Sequence, residues 1–406
     1  MINMGKGLAA IGLALSAAAT SSFAAQCGAQ DWPHWRDFKQ HFIAPDGRVL
    51  AANSAMRDSF SEAQSYAMFF ALVANDQQAF NQLWRWSIQN LLGTDPAVGR
   101  LPSWHWGRAS DGNWRVLDSN SAADADQWFA YALLEAGRIW SRDDLVRDGQ
   151  ALLKAIASQE VVDLPGIGPM LLPAPYGFVQ TDGGWRLNPS YLAIPQLRRF
   201  AQEDPQGPWN DIASNTVLLI TMASPKGLVA DWIGYRASAE RRPLVTVDPV
   251  LGARGSYDAI RVYLWAGMTA AEDPLAAPLL KSLSGMNRSL PQGAWPPESV
   301  DSQTGLASGI GPFGFSAALA PSLQQVGASG PMLQQVERAR SMRAASLLPE
   351  QLAKGLPLYY DHVLSLFGLG WIEQRFSFAR NGQVQLKWQN SCSPQRLNTA
   401  GQQFPG

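Results

Sequence analysis

The chain has 406 residues and a formal net charge of −1, and charged residues make up only 16% of the sequence. Nucleic acids and anionic membranes are bound through a basic face, so this composition argues against both as partners. The balance favours a neutral ligand. The 16 Trp residues offer ring faces of the kind that stack on sugars, although such rings also fill protein cores.

Residues 1–25 have the pattern of a secretory signal peptide. Lys6 precedes the apolar run 7–19, and small residues then lead to a predicted cleavage site after Ala24 or Ala25. The alternative is a membrane anchor, but the apolar run is shorter than the roughly 20 residues that a membrane span requires. We therefore expect export to the periplasm, or secretion, with no membrane insertion after cleavage.

Residues 26–406 contain no linker-like, charge-rich or low-complexity segment that would divide them, so we expect a single domain. The two cysteines, Cys27 and Cys392, lie at opposite ends of this domain. Two cysteines in an exported chain often form a disulfide, which here would join the termini. The alternative is two unpaired thiols.

Helical periodicity dominates the exported part of the chain. Apolar residues at helical spacing predict helices over residues 62–75, 77–92, 124–140, 145–158, 189–202, 209–223, 257–268, 274–283, 315–324, 331–347 and 359–371. Residues 66–73 and 260–268 are apolar on all sides and should be buried, whereas 334–343 carries a polar face and should lie outside. This alternation predicts an all-α fold, an (α/α)6 barrel of inner and outer helices with one helix not recognised.

The predicted helices are joined by long loops rich in Pro, Gly and Trp, which are expected to contain a few short strands. Such loops on a rigid scaffold often carry function. Residues 376–386 predict a hairpin near the C-terminus, with Asn381-Gly382 as its turn.

Three carboxylates stand at the starts of helices predicted for the inner ring. Glu62, Asp124 and Asp258 each have aromatic residues nearby. The inner helices of such a barrel run parallel, so their N-termini share one rim and the three acids should converge there. Carboxylates in an aromatic-lined cleft are what acid/base hydrolysis of a sugar polymer requires.

Helix capping is the alternative explanation of these acids. Ser59 and Glu62 fit a capping box, Ser121 and Asp124 fit one loosely, and an acid in the first turn stabilises the helix dipole. A helix N-terminus also lowers the pKa of a carboxyl group, whereas a general acid needs a raised pKa. For Glu62 to act as the acid, burial and repulsion from Asp124 would have to raise its pKa by more than the helix N-terminus lowers it.

Metal and cofactor chemistry are not indicated by the sequence. The four His and two Cys residues lack metal-ligand spacing, and no Ser lies in a Gly-x-Ser-x-Gly elbow. No phosphate-binding Gly-rich motif is present. We expect neither a metal nor a cofactor.

Several long segments resemble glycoside hydrolase family 8, and within it the periplasmic subgroup encoded with bacterial cellulose synthase. They match in the same order nearly from end to end, as EAQSYAMFF (62–70), LPSWHWG (101–107), VLDSNSA (116–122), LLEAGR (133–138), WRLNPSY (185–191), SYDAIRVY (256–263), GFSAA (314–318) and LFGLGW (366–371). The resemblance implies an (α/α)6 barrel that cleaves β-1,4-glucan internally, with inversion and without a cofactor. It also implies cellulose or cello-oligosaccharides as the ligand and the cellulose synthase complex as a candidate partner.

The resemblance further implies roles for individual residues. Glu62 occupies the position of the general acid that protonates the leaving glycosidic oxygen, and Asp258 that of the general base that activates a water. Asp124 matches the first Asp of the family signature and would hold the sugar at the cleavage point. Further substrate-binding candidates in the matched segments are Asn188, Tyr191, Tyr257 and Arg261.

Four aromatic residues are candidates for stacking on sugar rings, with core packing as the alternative for each: Tyr66, Trp104, Trp106 and Trp185. The sequence departs from the family pattern at Ala63, Ala67, Ala123 and Ala125, none of which removes a catalytic carboxylate. Ala123 lacks a hydroxyl that would orient Asp124, so a lower efficiency is expected there.

Two other functions stay open at this point. The same fold could act on another β-1,4-glycan, such as xylan, chitosan or mixed-linkage glucan. A non-catalytic glucan-binding assembly protein would keep the aromatic cleft and use the acids as helix caps, but it would have no need of all three carboxylates.

Overall fold

The structure is a computed structural model, and it describes residues 28–51, 58–290, 293–354 and 358–392. Helices account for most of these residues. Fifteen α-helices form within them: α1 Pro33–Phe42, α2 Ser61–Val73, α3 Gln77–Ser87, α4 Ala123–Trp140, α5 Asp143–Gln159, α6 Ile194–Glu203, α7 Trp209–Ala223, α8 Ala259–Met268, α9 Ala276–Ser282, α10 Ser284–Arg288, α11 Phe313–Gln325, α12 Ser329–Ser346, α13 Pro349–Leu352, α14 Tyr359–Ile372 and α15 Lys387–Cys392.

Short antiparallel strands fill parts of the loops between these helices. The described residues contain β1 Ser59–Phe60, β2 His105–Arg108, β3 Trp114–Asp118, β4 Val161–Leu164, β5 Gly168–Leu171, β6 Trp185–Leu187, β7 Ile233–Ala237, β8 Pro243–Val247, β9 Arg254–Gly255, β10 Ser299–Asp301, β11 Ala307–Ser308, β12 Phe376–Phe378 and β13 Val384–Leu386. They pair as β1-β2-β3, β4-β5, β6-β7-β8, β11-β10-β9 and β12-β13.

Burial separates the helices into two classes, as the sequence predicts. All ten residues of α8 are buried, and α2 is buried everywhere except at Glu62. In contrast, α12 buries only four of its 18 residues. Helices that are apolar all round must be enclosed by others, whereas helices with a polar face can border water.

The buried helices form the inner ring of a barrel. In chain order this ring is α2, α4, α6, α8, α11 and α14, and each helix packs against the next. The outer ring is α3, α5, α7, α9 and α12, with α1 packed on α14. The fold is therefore the predicted (α/α)6 barrel.

The centre of the inner ring is filled by aromatic side chains. Phe367 of α14 contacts Tyr66 and Phe69 of α2, Trp128 of α4 and Trp265 of α8, with ring centroids 5.1–5.7 Å apart. Edge-to-face pairs of this kind stabilise a core beyond the area that they bury. One side chain thus joins four of the six inner helices.

The predicted helices agree with the structure except at two places. The unrecognised helix is α1, whose buried residues Trp35, Phe38 and Phe42 follow helical spacing over only ten residues. The predicted helix over 189–202 is instead a 3-10 turn, Pro189–Tyr191, followed by α6. Pro195 lies in the first turn of α6, where a proline ring is tolerated, and not in the middle of one longer helix.

The C-terminal hairpin β12-β13 is confirmed, and its turn requires glycine. Gly382 has a φ of +80°, and an added Cβ would lie 2.1 Å from the carbonyl oxygen of Pro195. The Gly382 carbonyl also accepts a hydrogen bond of 2.7 Å from the Tyr131 hydroxyl on α4. The turn therefore docks against the inner ring.

The predictions for the two chain ends fall on residues outside those described. The signal peptide lies within residues 1–27, and Cys27 is among them. The backbone of Cys392 belongs to α15, but its side chain is not described. The proposed disulfide therefore stays a prediction. Within the described part of the chain, no helix combines the length and apolar character needed to cross a bilayer.

Candidate functional site

The three predicted acids stand at the N-termini of three inner helices. Glu62 and Asp124 are the second residues of α2 and α4, and Asp258 directly precedes α8. The cap positions of these helices are Phe60, Ala122 and Asp258, and none of their side chains makes a capping hydrogen bond within the described residues. The capping box expected as the alternative at Glu62 is therefore not formed.

Arg261 joins two of these helix ends and reaches a third. Its Nη2 lies 3.0 Å from Asp258 Oδ1 and 3.5 Å from Asp124 Oδ2. Nη2 also donates to Ser190 Oγ at 2.8 Å, and Nη1 donates to the Tyr360 hydroxyl on α14 at 3.3 Å. The N-terminal turns of α4, α8 and α14 thus meet at one guanidinium group, as parallel inner helices require.

Glu62 lies in a partly enclosed position at the start of α2. Its Oε1 accepts a hydrogen bond of 3.1 Å from Trp104 Nε1, and its Oε2 lies 3.4 Å from the Ser61 hydroxyl. Burial raises the pKa of Glu62, and this outweighs the opposing effects of the helix backbone and of Trp104. Of the two opposing effects expected from the sequence, burial therefore has the larger influence on the pKa of Glu62.

Asp124 is the most enclosed of the three acids, with 3% of the residue exposed. Burial, followed by repulsion from Glu62, raises the pKa of Asp124 well above its usual range. Its Oδ1 accepts a hydrogen bond of 2.9 Å from the Ala125 backbone, whereas Oδ2 accepts none from the described residues. The nearest cation to Oδ2 is Arg261 Nη2 at 3.5 Å, so Asp124 is tied to the site by an ion pair.

Asp258 is held by three donors and is still open to solvent. Besides Arg261, Asn188 Nδ2 donates to Oδ2 at 3.1 Å and Trp232 Nε1 donates to it at 3.0 Å. The Asp258 side chain keeps 30% of its surface exposed. A carboxylate has about four lone-pair positions, so one acceptor position stays available for water.

Three other predicted residues border these acids. Trp104 is 36% exposed and contacts Glu62 through its indole nitrogen. Tyr257 is 43% exposed, and its backbone carbonyl accepts a hydrogen bond from the Tyr360 hydroxyl at 2.6 Å. The Tyr191 ring lies 5.9 Å from the Arg261 guanidinium. The structure therefore brings Trp104, Tyr191 and Tyr257 together with the carboxylates, beside Asn188 and Arg261.

Tyr66 does not offer a stacking face, which corrects the prediction for this residue. It is buried, and its ring makes edge contacts with Trp128 and Phe367 in the barrel core. The Tyr66 hydroxyl has no hydrogen-bond partner among the described residues, and the charges of Arg261 and Asp124 act on it. Only this hydroxyl faces the acids.

Trp106 is partly buried and already contacts other rings. It stacks on Trp114 at 5.0 Å and meets Trp86 of outer helix α3 edge-on. The Arg48 guanidinium lies 5.1 Å from the same ring. These contacts favour packing, and sugar stacking by Trp106 stays a prediction.

Strand alternation places the partly buried Trp185 on the opposite sheet face from Arg186, and its stacking role stays a prediction. Trp185 and Leu187 pair with Tyr235 and Ile233, so these residues share one face of the sheet. The opposite face carries Arg186, and Asn188 and Trp232 continue it toward Asp258. Trp185 accordingly packs on Tyr235, with ring centroids 5.9 Å apart.

Three contact residues were not recognised as site residues from the sequence: Ser190, Trp232 and Tyr360. Ser190 lies in the matched segment 185–191, so that segment carried a usable signal, whereas Tyr360 lies six residues before the matched segment 366–371. Trp232 stands in a loop with no motif, 26 residues before Asp258. Within the described residues, no group of three or more His, Cys, Asp or Glu side chains is arranged to hold a metal ion.

Comparisons with known proteins agree with this geometry. The sequence model of glycosyl hydrolases family 8 matches residues 10–374. The chain is 44% identical to an endoglucanase of Pseudomonas fluorescens (strain SBW25) over 396 residues, covering 95% of this chain and 98% of the relative. It is 41% identical to an endoglucanase of Escherichia coli (strain K12) over 368 residues, covering 89% and 93%.

A solved structure extends the likeness to the fold. The endo-1,4-D-glucanase from Vibrio fischeri ES114 is 36% identical and superposes with a TM-score of 0.79. The match covers 89% of this chain and all of that one. With the whole barrel and nearly the whole sequence matched, the chain belongs to glycosyl hydrolases family 8.

Proposed function

We propose that the protein is an inverting endo-1,4-β-glucanase that hydrolyses internal bonds of cellulose or cello-oligosaccharides. Its relatives named endoglucanase support the reaction and the substrate. The observation that carries the proposal is the gathering of Asp124 and Asp258 around Arg261, beside a Glu62 whose pKa is raised. A buried carboxyl group with a raised pKa and a second carboxyl group open to water are the two groups that acid/base hydrolysis needs.

Glu62 is the proposed general acid. Burial favours its protonated form, so it can keep a proton until the glycosidic oxygen departs. The hydrogen bond from Trp104 Nε1 fixes the Oε1 side of the carboxyl group. Oε2 is then the oxygen that would carry the proton toward the substrate.

Asp258 is the proposed general base. Donors from Asn188, Trp232 and Arg261 fix the orientation of its carboxylate. Its exposed surface and remaining acceptor position let a water bind there. In an inverting enzyme this water attacks the anomeric carbon from the face opposite the leaving oxygen, while Asp258 takes its proton.

Asp124 and the rim aromatics are proposed to bind the sugar. Asp124 is proposed to hold the sugar at the cleavage point, because it lies beside Glu62 and Asp258 and is ion-paired with the same Arg261. Trp104 and Tyr257 have exposed ring surface at the same rim. Neutral aromatic and hydroxyl-binding groups suit an uncharged polysaccharide.

The cellular setting is also part of the proposal. The signal-peptide pattern of residues 1–25 supports a periplasmic protein, with residues 26–406 as its single catalytic domain. The resemblance to the subgroup encoded with bacterial cellulose synthase supports a role in cellulose synthesis and export. The synthase complex is the proposed partner.

The test measures reducing ends released from carboxymethyl-cellulose by the wild type and by Glu62→Gln and Asp258→Asn. We expect each variant to lose about 100-fold or more in rate. Asp211→Asn is the matched control, because Asp211 also stands in the first turn of a helix but on outer helix α7. The control should retain wild-type activity.

Two further readouts complete this test. Proton NMR of the first products should show the α-anomer, since inversion converts a β-linkage into an α-product. Release of reducing ends from xylan, chitosan and mixed-linkage glucan is measured in parallel to identify the preferred substrate. Equal rates for the wild type and Glu62→Gln would remove Glu62 as the acid, and activity on another glycan alone would replace cellulose as the substrate.

A further inference from the structure

We propose that Asp231 is a positioning residue, which acts by holding the backbone that carries Asp258. This inference rests on the proposed role of Asp258 as the general base. Asp231 lies in the loop between α7 and β7, and it does not belong to any segment that the sequence singled out. Its contacts reach the start of α8 from 25 or more residues away.

One carboxylate oxygen of Asp231 collects three backbone donors. Oδ1 accepts hydrogen bonds from the backbone N–H groups of Ser256 at 2.7 Å, Asp258 at 3.1 Å and Ala259 at 2.7 Å. These N–H groups lie at or just before the first turn of α8, where backbone donors have no partner within the helix. Asp231 therefore acts as the N-terminal cap of α8, although it is distant in sequence.

This arrangement determines what the Asp258 side chain can do. Asp258 occupies the cap position of α8, and an Asp at that position normally turns its own carboxylate back onto the helix N–H groups. Here its side chain makes no capping bond and faces Asn188 and Arg261 instead. The N–H groups of Ile260 and Arg261, which such a carboxylate would take, donate instead to the backbone carbonyls of Ser256 and Asp258, while Asp231 takes the N–H groups before them. The Asp258 carboxylate is therefore not needed as a cap and faces the cleft.

The residue after Asp231 holds Asp258 from the other side. Trp232 Nε1 donates to Asp258 Oδ2 at 3.0 Å, and the Trp232 ring stacks on Phe178 with an interplanar angle of 8°. The Arg186 guanidinium lies 5.0 Å from the same ring. Consecutive residues thus fix the backbone and the side chain of Asp258 together.

The loop that carries this pair is itself anchored to the same segment. The backbone N–H of Asp231 donates to the carbonyl of Arg254 at 2.8 Å, directly before β9 ends at Gly255. Arg186 is held in turn by two hydrogen bonds to Asp248, of 2.7 and 3.1 Å. Movement of the 231–232 loop would therefore move Asp258.

The test compares three substitutions at Asp231 by kcat and KM on a soluble cello-oligosaccharide. Asp231→Ala removes the acceptor, and we expect kcat to fall about 100-fold with KM changed less than about threefold, as for a reacting group displaced by an ångström. Asp231→Asn keeps an oxygen acceptor in the same place and should retain kcat within about tenfold of the wild type, since neutral acceptors form the weaker bonds. Asp301→Ala is the matched control.

Asp301 suits this purpose because it also accepts two backbone N–H groups in a loop, those of Gln303 at 3.0 Å and Thr304 at 2.8 Å. Among the described residues, no hydrogen bond or ion pair joins its side chain to Asp231 or Asp258, although its backbone pairs with Arg254. Its loss should leave kcat unchanged. If Asp231→Ala fails to fold, Asp231→Glu takes its place, because the longer side chain moves the acceptor by one methylene; its kcat should fall at least tenfold with KM preserved.

A double variant separates positioning from general structural damage. If Asp231 acts through Asp258, adding Asp231→Ala to Asp258→Asn should not lower the residual kcat further. Independent, multiplying losses in the double variant would overturn the proposal, as would a folded Asp231→Ala or Asp231→Glu protein with wild-type kcat. A fully active Asp258→Asn variant would instead overturn the proposed base, so the two failures are distinguishable.

Discussion

Replacing Arg261 by Met tests whether the site is organised by this one cation. The substitution keeps a long apolar side chain but removes the guanidinium that lies 3.0 Å from Asp258 and 3.5 Å from Asp124. Removing one partner of a buried ion pair costs about 3–5 kcal/mol of folding free energy. Water can partly replace the arginine at Asp258, whose side chain is 30% exposed, so the cost should lie near the lower end.

The loss of stability should depend on pH in a defined direction. The pKa of Asp124 is already raised by burial and by Glu62, and removing Arg261 raises it further. Up to the raised folded-state pKa of Asp124, this carboxyl group is protonated in the folded wild type and in the folded variant alike, so the stability difference between the two proteins stays constant. Above that pKa the wild type can ionise Asp124 beside Arg261 whereas the variant keeps it protonated, so the destabilisation of the variant grows as the pH rises.

A double-mutant cycle supplies the decisive comparison. Urea unfolding, followed by Trp fluorescence at pH 5 and pH 8, is measured for the wild type, Arg261→Met, Asp124→Asn and the double variant. The double variant should be more stable than the sum of the single losses predicts, by about 1–3 kcal/mol. Additive losses, or an Arg261→Met protein as stable as the wild type at pH 8, would refute the reasoning.

Two further predictions concern the barrel and a buried acid pair. Gly267→Ala should lower the free energy of unfolding, measured in urea, by about 3 kcal/mol or more, because the added Cβ would lie 2.1 Å from the Ser322 backbone nitrogen of α11. Gly330→Ala is the control, since Gly330 is also helical but has open space around it, and this substitution should not lower the stability. Burial raises the pKa of Glu160 to about 7, so its folded-state proton stabilises the wild type at low pH and that stability is lost as the pH rises toward 7. Glu160→Gln should therefore lose less stability than the wild type between pH 5 and pH 7, and equal losses would contradict this assignment.

The sequence was sufficient to predict the barrel and the three acids, for a physical reason. Apolar periodicity identifies the buried helices. Because the inner helices of the barrel run parallel, the first residues of every one of them lie at the same end of the barrel. Glu62, Asp124 and Asp258 could thus be grouped although about 200 residues separate the first from the last. The short helix α1 was missed because its periodic stripe spans only Trp35 to Phe42.

Contacts between loops could not be predicted in the same way. Trp106 and Trp185 lie in strands, where neighbouring residues point to opposite faces, so assigning them required the strand register. Asp231 and Trp232 reach Asp258 only because the loop after α7 folds back over the start of α8. No local pattern in the sequence records that approach.

The aromatic cluster around Phe367 has a consequence for how a polymer can be handled. Because Phe69, Trp128 and Trp265 close around this ring, side chains of the described residues fill the barrel axis at this level. A polysaccharide can therefore reach the acids only from the rim, lying across the helix ends, and it need not thread a free end through the protein. A chain of any length can dock sideways and leave sideways, which makes bonds far from either terminus accessible.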